Sequence, residues 1–369
     1  MALEKAITAQ IPQYGIWITP QAAPGSPVLK NNSHLYLAPK TSARGFSESY
    51  LLNLLLPEAQ DLFFGQFVEM IETFNCSRIW FDYNTPSRQT HWNEHELPDR
   101  QGLLERGFYE GLYNVFDRTR AQYPNVWIEG CASGGRMMDL GSLTRVQSMW
   151  INDDSVSDDR NRRLRLGANH MLPAHYLQNA FLPIGCGATG GHSPLAPLVV
   201  DPQRLLTYFN GVLQFGQGVS TWDESSLAGA TAAVQVYKAH RHLMDPLTSN
   251  YYRLFERPAN GTAIRNIDVS IAVGWIYEEP STRSGLLYLM RQSACNQSTI
   301  SVAMVRGSAE NQWPWAVPAP LLVREGGSAA TASFKLLSSG KGVTGSVEDD
   351  LFVAHFATVD TQALWSYSF

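Results

Sequence analysis

Two aspartates each close a short apolar run, Ile79-Trp80-Phe81-Asp82 and Trp150-Ile151-Asn152-Asp153. Between them lies Trp127-Ile128-Glu129-Gly130-Cys131-Ala132-Ser133-Gly134-Gly135-Arg136. Three consecutive strand-like runs, each ending in polar or Gly-rich residues, fit one face of a β/α barrel. Two carboxylates at the C-terminal ends of barrel strands can supply the nucleophile and the acid/base of a retaining glycosidase. A single Asp after a strand is more often a turn residue or a helix N-cap. The pair in this setting is what points to chemistry.

Composition narrows the classes. The chain has 369 residues, 17% charged and 11% aromatic, with a formal net charge of −5. That is an ordinary globular composition, with room for a sizeable core and two domains. No basic run is interleaved with aromatics, so nucleic acid is not an expected partner. The ten Trp and fifteen Tyr would suit sugar faces, and equally a large core. No apolar stretch reaches ~18 residues, so no membrane span is expected. Met1-Ala2-Leu3-Glu4-Lys5 does not open a signal peptide, which leaves the compartment unassigned with the cytoplasm favoured.

Cys76, Cys131, Cys186 and Cys295 are widely spaced, without a CxxC. Neither zinc nor a dense disulfide framework is indicated. His91-Trp92-Asn93-Glu94-His95 has the wrong order for a zinc-protease helix. Gly185-Cys186-Gly187 lacks the strand–turn–helix context of a nucleotide site. No metal and no cofactor are expected.

The elements that must position these residues follow from periodicity. Tyr14–Ile18 reads as a strand stopped by Thr19-Pro20, and residues 21–47 as a long loop. A helix begins at Pro57, with Leu62, Phe63, Phe67, Met70 and Ile71 at helical spacing. A second amphipathic helix covers 100–123, and strand Val126–Glu129 follows. A short helix near Leu143–Val146, a strand Met149–Ile151 and a helix over 157–168 come next. Residues 202–213 and Ala228–Leu243 also read as helices. From Tyr251 onward the runs are short and alternating, as in an antiparallel β-sandwich.

In this order the residues resemble the α-galactosidases of glycoside hydrolase family 36, from about residue 3 to about 290. Tyr14-Gly15-Ile16-Trp17 resembles the family's Phe-Gly-x-Trp strand. Asp82 and Asn84 match its Lys-Trp-Asp-x-Asn motif, and Cys131-Ala132-Ser133-Gly134-Gly135 with Arg136 and Asp139 its Gly-rich turn. Asn152-Asp153 with Arg160 resembles its Ser-Asp motif and downstream Arg, and Tyr252-Arg253-Leu254 the start of its sandwich.

The resemblance implies Asp82 as nucleophile and Asp153 as acid/base, with Asp154 the neighbour that could be confused with it. It implies a sugar pocket involving Trp17, Trp80, Asn84, Cys131, Ser133, Gly134, Arg136 and Asp154. The implied substrate is an α-galactoside or a related oligosaccharide. The implied fold is α/β, a (β/α)8-type TIM barrel over 1–248 followed by an antiparallel β-sandwich over 249–369. The match starts just before the family's third strand, so the expected barrel lacks its N-terminal strands, with a homo-oligomer as one way to complete it.

Departures leave alternatives open. The family's Lys two residues before the nucleophile is Trp80 here, an upstream Arg aligns near Ser47, and a nearby Asp near Asn53. The Glu of a Trp-Phe-Glu-Pro strand end is Thr19. Transglycosylation of the raffinose-synthase type and a non-catalytic, sugar-binding remnant both remain beside hydrolysis. His192 reads as an ordinary loop residue, and Asp223 as either a substrate contact or the N-cap of the helix that follows it.

Overall fold

Ile79 and Phe81 are fully buried, and Arg78 and Trp80 alternate with them on the opposite face. This two-residue period is that of a strand lying under helices. The structure is a computed structural model, which describes residues 14–39, 48–83, 92–153, 158–169, 171–181, 202–215, 219, 222–254, 272–292, 295, 297–303, 333–339, 342–348, 351–358 and 361–368. The chain divides into two compact units, Met1–Asp153 and Asp154–Phe369. Residues 2–10, whose sequence reads as the tail of a helix, lie outside the described residues.

The first unit runs β1 (Gly15–Ile18), β2 (Gln21–Ala22), α1 (Pro27–Asn31), β3 (Tyr36–Leu37), β4 (Tyr50–Leu52), α2 (Pro57–Phe74), β5 (Arg78–Phe81), α3 (Leu103–Gln122), β6 (Trp127–Gly130), α4 (Leu140–Leu143) and β7 (Ser148–Trp150). Strands β1, β5, β6 and β7 lie side by side in that order and all run parallel. Helices between parallel strands make this an α/β fold. The register pairs Trp17 with Trp80 and Trp80 with Glu129. One face of the sheet therefore carries Trp17, Trp80 and Glu129 in a row.

The other face meets α2 and α3. Pro57 and Glu58 suit the first turn of α2, and Asn75 ends it in a left-handed conformation (φ 51°). Phe63 and Phe67, four residues apart, bury one stripe, and α3 answers with Phe108, Leu112, Val115 and Phe116. Phe81 sits 5.3 Å from Phe116 and 6.1 Å from Phe63, centroid to centroid. Each such ring contributes on the order of 1.5–3 kcal/mol by leaving water. Gly111 of α3 lies so close to Leu54 that a Cβ there would fall 2.0 Å from its carbonyl oxygen.

The stretch 21–47, expected as plain loop, instead begins with ordered short elements. Strands β2 and β3 both pair antiparallel with β4, and Asn53 N–H donates to the Leu35 carbonyl. Its Pro and Gly content hid pairings two residues long.

The second unit runs α5 (Asp158–Ala168), β8 (Leu177–Phe181), β9 (Val212–Phe215), α6 (Glu224–His240), β10 (Asn250–Leu254), β11 (Val273–Glu279), β12 (Ser284–Arg291), β13 (Thr299–Ala303), β14 (Ser333–Ser339), β15 (Val343–Glu348), β16 (Leu351–Phe356) and β17 (Thr361–Ser368). Strands β8 and β9 pair in parallel. The expected helix over 202–213 is corrected. It is a 3-10 turn at Pro202–Tyr208 followed by β9, because Leu205, Leu206, Tyr208 and Phe209 fill a core from a tighter turn.

Five strands form an antiparallel sheet in the order β10-β11-β12-β17-β14, and three form another in the order β13-β16-β15. Ile276, Leu287 and Leu289 from the first share an apolar cluster with Ile300, Phe352, Ala354 and Phe356 from the second. Trp275, Tyr277 and Tyr288, on the alternate face, pack with Ala230 and Ala233 of α6. Among the described residues no helix is long and apolar enough to cross a membrane.

Candidate active site

The site residues of the first unit sit where β5, β6 and β7 end. Asp82 directly follows β5, on the same face as Arg78 and Trp80 by alternation. Its N–H donates to the Ile18 carbonyl (3.0 Å), and the Cys131 N–H to the Phe81 carbonyl (2.8 Å). Both bonds continue the strand ladder by one step, so Asp82 and Cys131 are held by the sheet.

Asp82 is only 6% exposed. The Ser133 N–H donates to its Oδ1 (3.2 Å). A buried carboxylate needs such donors. Cys131 is itself buried and free of any disulfide. Burial, then the negative charge of Asp82, and more weakly that of Asp153, push its thiol well above the usual range against a lowering bond to the Gly134 backbone. Cys131 is therefore a neutral thiol beside Asp82 and not a nucleophile.

The turn after Cys131 brings the second aspartate in. Ser133, Gly134 and Gly135 have φ of 48°, 72° and 94°, three left-handed residues in succession. The Ser133 hydroxyl donates to the Tyr83 carbonyl (3.4 Å), and Tyr83 Oη bonds Tyr109 Oη (2.7 Å). Gly134 lies against Asp153, whose Cγ, N and Oδ2 would all be 2.9 Å from a Cβ at that position. Adjacent residues of one turn thus touch the two carboxylates, Ser133 at Asp82 and Gly134 at Asp153. Asp153 is exposed and accepts a hydrogen bond at Oδ1 from Trp150 Nε1 (2.9 Å).

Three indoles join this cluster. Trp80 lies 4.6 Å from Trp17 and 4.9 Å from Trp150, at interplanar angles of 50° and 53°. Trp17 is 60% exposed, while Trp80 Nε1 is buried with no hydrogen-bond partner among the described residues. One layer further down the same face, Arg78 forms an ion pair with the fully buried Glu129.

Of the expected site residues, Asp82, Asp153, Cys131, Ser133, Gly134, Trp17 and Trp80 are thus placed by these contacts. Arg136 is exposed, and its side chain has no partner among the described residues. Asn84, Asp154 and His192 lie outside the described residues. Asp139 caps α4 through Ser142 N–H (2.9 Å) and accepts from Tyr113 Oη (2.5 Å). Asp223 accepts from Ser226 N–H (2.7 Å) and caps α6, the plainer of its two readings. Trp150 enters as a site residue that the sequence places only in a strand and in a Trp-x-x-Asp pattern; that spacing is the available signal. Among the described residues no group of three or more His, Cys, Asp or Glu could hold a metal.

The family model named Melibiase matches residues 1–244. The chain belongs to the melibiase family. Among curated melibiase-like relatives, a probable α-galactosidase C of Aspergillus terreus is 31% identical over 150 residues, 40% of this chain and 19% of that protein. A probable α-galactosidase G of Emericella nidulans is 27% identical over 199 residues, 53% of this chain and 26% of that protein.

A GH36 α-galactosidase from Geobacillus stearothermophilus, solved with raffinose, covers the whole chain at TM-score 0.72 and 16% identity. The chain covers 46% of that structure. An Anoxybacillus α-amylase is more distant, with TM-score 0.57 and 9% identity. The α/β fold with its parallel, half-barrel sheet is thus shared with solved melibiase-type structures. The chain spans less than two thirds of the length of these relatives.

Proposed function

We propose that this melibiase chain carries the catalytic carboxylates of a retaining α-glycoside hydrolase of the α-galactosidase type. The observation that carries the reading is the pair of carboxylates met by adjacent residues of one turn, Asp82 buried and accepting from Ser133 N–H, Asp153 exposed. Those environments suit two different roles. Asp82, ionised, attacks the anomeric carbon as Asp153 gives its proton to the leaving oxygen, and the glycosidic bond breaks. Asp153 then takes a proton from water, which displaces Asp82 and releases the sugar with its configuration retained.

The proposal extends to architecture: a (β/α) barrel over about 1–248, followed by a β-sandwich over 249–369. The names of the curated relatives support an α-galactoside as substrate. Trp80, where the resembling motif has Lys, offers a ring face in place of a cation, and α-N-acetylgalactosaminides are the second substrate to test. Transglycosylation is a further reading, favoured by one observation. Trp17, largely exposed beside Trp80, offers a face on which an acceptor sugar could stack.

The test is hydrolysis of nitrophenyl α-galactoside and α-N-acetylgalactosaminide by the purified protein beside Asp82→Asn. Turnover lost in the variant supports the reading, as does first release of the α-anomer seen by NMR. A folded protein with no turnover on either substrate, or activity retained in Asp82→Asn, overturns it.

A further inference from the structure

We infer that Trp150 is a positioning residue that fixes Asp153 and assigns its catalytic proton to Oδ2; the inference rests on Asp153 being the acid/base. An exposed aspartate beyond a strand end has several rotamers available, and an acid must hold one of them. Here Trp150 Nε1 meets Asp153 Oδ1 at 2.9 Å. An indole N–H only donates. Oδ1 accepts in both protonation states, and since the carbonyl oxygen of a neutral carboxyl is its better acceptor, the contact favours the acid's proton on Oδ2. Oδ2 is the oxygen on the Gly134 side, next to the turn that also holds Asp82 through Ser133.

Trp150 is in turn held by its ring. It packs on Trp80, which packs on Trp17, so the donor is braced by indoles from β5 and β1. Among the described residues, the ionisable groups grouped with Asp153 here are Asp82, after β5, and Cys131, after β6. Neither can replace the indole. Asp82 is an acceptor when ionised, and the Cys131 thiol feels the charge of Asp82 more strongly than that of Asp153. Asp153 thus depends on its own strand end, three residues back, for its orientation.

The test is Trp150→Phe, which keeps an aromatic ring against Trp80 and removes the N–H. Galactosides with poor leaving groups, such as raffinose, need the proton; activated aryl galactosides need it little. We expect kcat/KM to fall about tenfold or more on raffinose, a part of the ~10²–10⁴-fold that general acid catalysis supplies. On nitrophenyl galactoside the loss should stay within about threefold, by the same principle. Equal losses on both substrates, or none on either, overturn the inference.

A second measurement needs no activity. One of the ten Trp indole N–H resonances should move on Asp153→Ala and be missing in Trp150→Phe. No indole resonance responding to Asp153→Ala also overturns it. Absence of turnover by the unaltered protein would instead remove the glycosidase reading, while the resonance still decides the contact.

Discussion

Gly134→Ala separates two costs that the structure places at one residue. The first is conformational. Gly134 has φ +72°, where a Cβ costs ~1–2 kcal/mol in the left-handed region. The second is contact. The new Cβ would stand 2.9 Å from Asp153 Cγ, Oδ2 and backbone N, where ordinary contact begins at 3.4 Å. The backbone nitrogen cannot swing aside, so the Asp153 segment must retreat by roughly 0.5–1 Å. A misplacement of about 1 Å costs a catalytic group on the order of 100-fold, ~2.7 kcal/mol.

Gly25→Ala calibrates the first cost alone, because Gly25 has φ +78° and nothing within 4 Å of the Cβ position. Thermal unfolding and kinetics on nitrophenyl galactoside, for both variants, form the assay. Gly25→Ala should lose ~1–2 kcal/mol of stability, a shift of a few degrees, and Gly134→Ala more, because its Cβ also meets Asp153. Gly134→Ala alone should lose about 100-fold in kcat/KM. Activity of Gly134→Ala within about threefold of the unaltered protein, or an equal activity loss in Gly25→Ala, would refute the placement of Asp153 against this turn.

Two further predictions concern the second unit. Burial raises the Glu278 carboxyl of β11 from 4.5 to about 7, and its Oε2 has no hydrogen-bond partner among the described residues. The native state therefore holds this proton more tightly than the unfolded chain. The stability it contributes is full below pH 4.5 and is lost as pH rises through about 7. The change amounts to roughly 3 kcal/mol. Glu278→Gln should unfold several degrees higher at pH 8 and unchanged at pH 4; the same shift at both would contradict the assignment. Asp223→Ala removes the cap of α6 and should cost ~0.5–2 kcal/mol, with Asp223→Asn keeping most of it. Equal losses in the two variants would point to a role other than capping.

Much of the site was legible because strand chemistry is local. Asp82 stands two residues past Trp80 on one face, and Cys131 two past Glu129 in the neighbouring register, which alternation alone predicts. The Ser133-Gly134-Gly135 turn announced itself by its glycines, and Ser133 proved left-handed as well. Trp150 was not legible as a site residue, because an indole bonding three residues ahead beyond a strand end has no periodic signature. Nor was the Arg78–Glu129 pair, since its partners are 51 residues apart and meet only once β5 and β6 align.

In the second unit β9 was lost to a helical pattern, because Leu205, Leu206 and Phe209 are spaced for a helix while serving a 3-10 turn. Strands β15 and β17 do not stand out among the alternating runs after Tyr251. β15 mixes Gly and Ser with its apolar residues, and β17 is buried on both faces, so neither shows a clean alternation.

The proposed double displacement turns on which carboxylate bonds to the sugar. A fluorinated galactosyl fluoride, slow to hydrolyse, should trap the glycosyl-enzyme, and peptide mass spectrometry should find the label on Asp82. The label should be missing in Asp82→Asn. A label on any other residue, or catalytic turnover with no trapped intermediate under the same conditions, would contradict the double displacement assigned to Asp82 and Asp153.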